Sequence, residues 1–424
     1  MTEQRQKTPP DFWLCRAAGS AALGGRTGLA QRVQRLHRAA QLRRLTQGAL
    51  QLGTRTREAA DRGALQVTIS GLDFQTFRLL DCSPVNSRKG ILAAGNWVVD
   101  HVKLIDTWPG QETLANIKTE YRATGGPVMN VLIDLAKLGA KFPLHAAGIV
   151  GEDPPGDWAL EACRSHGIDV SMVKRTAEAP TSYTDVMTVQ HSGRRTFFHQ
   201  RGANALLDSD SIALETSSAR VFHLAYLLLL DRLDQPKKGF GTRAGELLAQ
   251  ATSLGITTSV DVVSEESDRY SRIVLPVLPF IDIVFLNELE AARIISFEIR
   301  VGGRIHTPAL VRAARGLLDA GVRQWVIIHF PEGVFAAGKN GRSLFQPSID
   351  IPPSQIAGSA GAGDAIAAGV LLGVHDELPI EDSLTFGVCA AAASLRHLST
   401  TEGVESLEGC LGLAHEFGYR EKLL

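Results

Sequence analysis

From Ile91 onward the chain alternates between two hydrophobic patterns. Short apolar runs, at 91–99, 144–150, 221–224, 256–262, 281–286 and 325–328, predict strands buried on both faces. Between them lie stretches with apolar residues every three to four positions, at 128–138, 158–166, 245–254 and 308–320, which predict amphipathic helices. Gly139 and Gly167 follow the first two helices as stop signals, because glycine adopts the left-handed conformation that ends a helix. Strands alternating with helices predict an α/β fold, a mainly parallel sheet covered on both faces. Two segments break the rhythm. Residues 182–190 and 196–200, joined by His-Ser-Gly-Arg-Arg at 191–195, have the pattern of a hairpin, and 107–124 has no helical packing pattern. Inserted strands there predict a small sheet over a site on the main one. The longest apolar run, at 224–230, is far too short to cross a bilayer and predicts a buried strand, so a membrane protein is not expected.

The first 60 residues differ from the rest. From Phe12 to Arg57 there are nine arginines and no acidic residue. A basic extension, disordered or loosely helical, a start codon placed too far upstream, and an organelle transit peptide all fit that composition. We divide the chain into a basic extension, 1–88, with the first 60 or so residues expected to be disordered, and a globular domain, 89–424. Residues 1–90 carry 15 basic and 6 acidic side chains, and the remainder 29 and 39. An acidic body argues against nucleic acid as a partner. Five scattered cysteines with no C-x-x-C pair fit a reducing compartment and exclude a cysteine-based zinc site, so a cytoplasmic location is expected, with an organelle as the alternative.

The stretch 357–369, Ala-Gly-Ser-Ala-Gly-Ala-Gly-Asp-Ala-Ile-Ala-Ala-Gly, carries the most chemistry. Gly361 and Gly363 allow a tight turn, and the small apolar residues after them predict a helix whose N-terminal amides attract an anion. Asp364 places a carboxylate where an anion should bind, which suits a base that takes a proton from an attacking hydroxyl. Phosphoryl transfer, a helix cap and a dinucleotide fingerprint all fit that stretch taken alone. Open α/β sheets bind ligands beyond the carboxyl ends of their strands, so polar residues after the predicted strands are the next candidates. Asp100 is predicted to end the first strand. Gly125, Gly126 and Asn130 lie at a loop-to-helix junction, where glycines permit close backbone approach and the amide can serve sugar hydroxyls. Asn204 ends the hairpin, near Arg194, Arg195 and Arg201, which fit solvated positions better than a phosphate contact. Asn287 and Glu290 share one face of a helical turn and suit hydrated Mg²⁺.

In this order the pieces resemble the ribokinase-like, or phosphofructokinase-B type, carbohydrate kinase family, over roughly 91–420. They are Asp100, Gly-Gly-x-x-x-Asn at 125–130, Gly-x-x-Gly-x-Asp-x-x-Gly at 148–156, Gly-Ala-Asn at 202–204, Asn287-x-x-Glu290 and Gly-Ala-Gly-Asp at 361–364. The resemblance implies a three-layer αβα sandwich with a small β lid, and ATP-dependent phosphorylation of a hydroxyl on a sugar or sugar-like molecule. Asp364 would be the base and Gly361, Ala362 and Gly363 the anion hole, with Gly361 and Gly363 holding nucleotide phosphate. Asp100, Gly125, Gly126, Asn130 and Asn204 would hold the acceptor, and Asn287 and Glu290 would organise Mg²⁺ through water. The lid strands, about 107–124 and 182–200, offer a surface for a homodimer. A nucleoside or phosphosugar kinase, and a catalytically weak sensor, are the alternatives. Two departures matter. Gly358 stands where the family pattern has an Asp beside a monovalent-cation loop, so that cation is not carried over. The stretch 328–333, Ile-His-Phe-Pro-Glu-Gly, keeps only one glycine of the usual nucleotide loop.

Overall fold

The computed structural model describes residues 88–423, and the expectations for the basic extension lie, Arg88 apart, outside the described residues. Nine strands form the main sheet, in the order β17-β16-β15-β12-β11-β8-β1-β4-β5. These are β1 (Ile91–Gly95), β4 (Leu144–Gly151), β5 (Asp169–Thr176), β8 (Val221–Leu227), β11 (Thr257–Val262), β12 (Ile283–Asn287), β15 (Trp325–Phe330), β16 (Gly333–Gly338) and β17 (Ser343–Pro347). The first seven in chain order pair in parallel, and β15, β16 and β17 add an antiparallel edge. Parallel neighbours need crossovers, and helices supply them. On one face lie α1 (Pro127–Lys137), α2 (Pro154–Arg164), α7 (Ala362–His375), α8 (Ile380–Leu395) and α9 (Leu407–Phe417). On the other lie α3 (Arg243–Ser253), the short α4 (Tyr270–Ile273), α5 (Glu288–Ile295) and α6 (Thr307–Asp319). Each face buries its own apolar cluster, so the fold is the three-layer sandwich expected. Two small hairpins, β9 (Pro236–Lys237) with β10 (Gly241–Thr242) and β13 (Arg300–Val301) with β14 (Arg304–Ile305), sit on connections.

The first predicted strand, 91–99, is in fact two. After β1 the chain bends at Asn96 and Trp97 and continues as β2 (Val98–Ile105) in a second sheet. That sheet has the order β3-β2-β6-β7, with β3 (Ile117–Gly125), β6 (Tyr183–Val189) and β7 (Arg195–Gln200). The lid therefore holds a strand that the hydrophobic pattern assigned to the core, and only the second half of 107–124 is strand. The bend is fixed by long-range bonds. Trp97 is fully buried and its indole N–H donates to the Ala147 carbonyl at 3.0 Å. The side chain of Asn204 clamps the Trp97 backbone from both sides, accepting from its N–H and donating to its carbonyl, each at 3.0 Å. A Cβ at Gly148 would lie 2.3 Å from the indole, so glycine there is what admits the ring.

Candidate active site

Chain order reverses direction between β1 and β8, with β4 and β5 on one side and β11, β12 and β15 on the other. Such a switch point opens a crevice at the carboxyl edge of the sheet. A cleft of about 860 Å³ lies there, within the range of small-ligand sites, and the lid covers it. Asp100, Gly126, Asn130, Asn287, Glu290, Gly361, Gly363 and Asp364 line it, so most of the residues singled out in the sequence converge although hundreds of positions separate them.

Asp364 sits in the first turn of α7, behind Gly361, whose φ of 79° makes it a left-handed N-cap. A Cβ at Gly361 would lie 2.3 Å from the Thr400 carbonyl, and one at Gly363 would press on the His329 ring at 3.1 Å. Small residues thus leave the helix amides open to the cleft. One side-chain amide orients the Asp364 carboxyl. Asn130 Nδ2 donates to Asp364 Oδ2 at 2.7 Å, while Asn130 Oδ1 accepts from the Thr400 hydroxyl at 3.2 Å. Burial, followed by the charge of Asp261, pushes the Asp364 carboxyl up to about 7, against the bonds from Asn130 and Tyr226 that lower it. A helix N-terminus favours the anion, so desolvation outweighs the dipole here. The result suits a general base, which works best with a pKa near the working pH.

Asp100 is not at a strand end, as expected, but inside β2, on the lid face that looks into the cleft. It packs against Gly125, where a Cβ would lie 2.2 Å from its Oδ1. Burial and then the nearby Asp364 raise its carboxyl to about 8. Gly126, with φ of 76°, caps α1 and brings Asn130 to the cleft one turn later. Asn204 is not brought to the cleft: its amide is spent on Trp97, away from any ligand. Of the three arginines read as solvated, only Arg194 is exposed; Arg195 and Arg201 both line the cleft.

Asn287 and Glu290 form a capping box at the start of α5. Asn287 Oδ1 accepts from the amides of Leu289 and Glu290, both at 2.9 Å, and Glu290 Oε2 accepts from the Asn287 amide at 2.9 Å. Glu290 Oε1 accepts from the Ser264 hydroxyl at 2.7 Å. Burial nevertheless raises its carboxyl to about 8. Beside it lies Asp261, which sequence reasoning missed: it is buried, and its Oδ1 has no hydrogen-bond partner. No group of three or more His, Cys, Asp or Glu among the described residues is arranged to hold a metal ion directly. The stretch at 328–333 is the end of β15, a two-residue turn at Pro331 and Glu332, and the start of β16, and Glu332 binds Arg300 through two bonds of 2.9 and 2.8 Å. It is not a glycine-rich nucleotide loop. Tyr226, His199 and Thr184 also line the cleft, and nothing in the local sequence marks them.

Comparison with known proteins agrees with this architecture. The model of the pfkB family carbohydrate kinases matches residues 93–407. A ribokinase of Haemophilus influenzae is 26% identical over 324 residues, covering 75% of this chain and 95% of that protein. An ATP-dependent ribose-1-phosphate kinase of Halopiger xanaduensis is 25% identical, covering 72% and 92%. Among solved structures, Arabidopsis thaliana ribokinase complexed with ribose and ATP superposes with a TM-score of 0.62 at 20% identity, covering 77% of this chain and 98% of that one. The chain belongs to the pfkB family of carbohydrate kinases, phosphotransferases with an alcohol acceptor and the ribokinase fold. Among the described residues no helix is long and apolar enough to cross a membrane.

Proposed function

We propose that this protein transfers the terminal phosphoryl group of ATP to a hydroxyl of a sugar or sugar-like molecule, with Asp364 as the base. One observation carries this most directly: a buried carboxyl, poised near pH 7, lies in the first turn of a helix whose start, at Gly361 and Gly363, lines the same cleft. The acceptor hydroxyl gives its proton to Asp364 as its oxygen attacks the phosphorus, and the bond to the bridging oxygen of ADP breaks. The amides of Gly361, Ala362 and Gly363 meet the negative charge that spreads over the transferring group, and fixed donors of that kind supply much of the catalysis in phosphoryl transfer. Asp100, Gly126 and Asn130 hold the acceptor. Gly125 supports them by leaving room for the Asp100 carboxylate. The lid sheet, anchored at Trp97, keeps water from competing with the acceptor.

The carboxylates opposite Asp364 fit a hydrated divalent cation. Buried Asp261 has an unpartnered oxygen, and buried Glu290 is raised by desolvation, which a cation would reverse. Asn287 and Glu290, with Asp261, are the residues that would hold Mg²⁺ through its waters. Such an ion would screen the nucleotide phosphates from these acids. The buried free thiols of Cys163, Cys389 and Cys410 suit a reducing cytoplasm. The outer face of the lid exposes Trp108 stacked on Phe198, ring centroids 6.1 Å apart, with Leu114 and Ile117 also exposed, and we assign this face to a homodimer.

The relatives act on neutral sugars, sugar phosphates and nucleosides by name, so they leave the acceptor open. Measuring ADP release by the full chain with ATP, Mg²⁺ and a panel of sugars, sugar phosphates and nucleosides tests the proposal. Acceptor-dependent release with a phosphorylated product supports it. Release that no acceptor changes would leave a sensor or partner protein as the better account.

A further inference from the structure

The inner face of the lid carries two polar groups that the phosphoryl-transfer scheme does not use. Along β7, Arg195, Phe197 and His199 alternate onto one face, and all three line the cleft. Arg201, one step beyond the strand, lines it as well and binds Asp231 at 2.8 Å. Arg195 differs. Among the described residues its guanidinium has no ion pair and no hydrogen-bond partner, although burial beneath the lid draws its pKa below the usual arginine value. It lies so close to the loop before the anion hole that a Cβ at position 358 would sit 2.0 Å from Nη2. Glycine at 358 therefore makes room for this arginine.

His199 supplies a second, independent sign. Its Nδ1 bonds the Thr184 hydroxyl at 3.0 Å, but its Nε2 is buried without a partner. In the strand register Asp100 faces Thr184 and Thr184 faces His199, so the three form one row across β2, β6 and β7. Burial and then the neighbouring Arg201 hold the imidazole down to about 4, so it is neutral near pH 7. Asp100, raised to about 8, is mostly protonated there as well. The electrostatic neighbours of Arg195 are Tyr121 and Asp100. Asp100 lies within electrostatic reach of both Asp364 and Arg195.

We infer that Arg195 and His199, both on the cleft face of β7, form a subsite for an oxyanion carried by the acceptor. The inference rests on the proposed phosphoryl-transfer chemistry and narrows its substrate to a sugar phosphate or a sugar acid. A planar guanidinium binds either oxyanion through paired N–H donors, and the buried imidazole nitrogen gains the partner it lacks. Neutral sugars leave both groups unsatisfied beneath the closed lid.

Titration calorimetry on the full chain tests this with neutral, phosphorylated and acid forms of one pentose and one hexose: ribose, ribose 5-phosphate and ribonate, and glucose, glucose 6-phosphate and gluconate. For at least one series, an anionic form should bind wild type at least tenfold more tightly than its neutral parent. The phosphate and acid arms show which oxyanion the subsite takes. Arg195→Gln should abolish that preference, and Arg195→Lys should retain part of it, with ATP affinity unchanged in both. Equal binding of neutral and anionic forms by wild type, or a preference that survives Arg195→Gln, overturns the inference. ADP release in the same series separates the two levels. If sugars are phosphorylated but Arg195→Gln leaves the turnover of anionic and neutral forms alike unchanged, the subsite fails and the kinase stands. If anionic ligands bind through Arg195 but no acceptor draws phosphoryl transfer, the subsite stands and the kinase assignment fails.

Discussion

Desolvation sets the chemistry of the cleft residue by residue. Asp364, Asp100 and Glu290 are all held above ordinary carboxyl values, at about 7, 8 and 8, and burial is the first cause in each. A carboxyl whose folded pKa exceeds its unfolded value binds more protons in the folded state. Its contribution to stability is complete below the unfolded pKa of about 4 and is lost as pH rises through the folded one. Conformational stability should therefore fall between about pH 5 and pH 8 while turnover rises through the pKa of Asp364. Thermal melts of the ligand-free protein check this: Asp364→Asn should raise the midpoint at pH 8 by at least about 2 °C and matter less at pH 5.5. An equal loss at both values would mean that the carboxylate stabilises the fold. Asp100 and Asn130 separate by function. Asp100→Ala should weaken acceptor binding by about 1–3 kcal/mol and leave ATP binding unchanged. Asn130→Ala should also lower kcat, because Asp364 loses its 2.7 Å donor. Steady-state kinetics in both substrates distinguish the two, and parallel loss of acceptor and ATP binding would point to damage of the fold instead.

Whole elements were legible where their pattern is local. The helix at 128–138 and the strand at 144–150 match α1 and β4 within about a residue at each end, because each has one period and a glycine or loop at its boundary. The 91–99 run misled because Asn96 and Trp97 are as buried as their neighbours, so hydrophobicity does not reveal the bend into β2. Helix α8 is buried almost all round and so shows no amphipathic stripe to read. In the site, Gly361, Gly363 and Asp364 were readable because a turn and a helix start are local. Asn204 was misplaced and Asp261, Thr184 and His199 were missed because their roles depend on strands brought together from distant parts of the chain. The loop at 357–361 carries a prediction at this scale. Gly358 supplies no carboxylate for a monovalent cation, and Arg195 already brings positive charge to its edge. Turnover in K⁺ should stay within tenfold of turnover in tetramethylammonium at equal ionic strength, and a larger stimulation would require another carboxylate near the loop.

At the scale of the molecule, one sheet edge gathers the chemistry, and the bend at Asn96 and Trp97 carries β1 directly into the lid. The family match begins at residue 93, and the basic composition of the first 60 residues leads us to propose that the catalytic unit stands without them. Deleting 1–60 should preserve cooperative unfolding and acceptor-dependent turnover, and loss of either would show that the basic extension packs on the kinase. The central claim is that Asp364 removes the acceptor proton during phosphoryl transfer. Comparing acceptor-dependent ADP formation by wild type and Asp364→Asn tests it most directly, since the amide keeps the shape and can still accept from Asn130 but cannot take the proton. The account predicts that kcat falls by at least about 10²-fold, with nucleotide binding intact, and that wild-type kcat/KM drops below about pH 7. Near wild-type turnover by Asp364→Asn would contradict it.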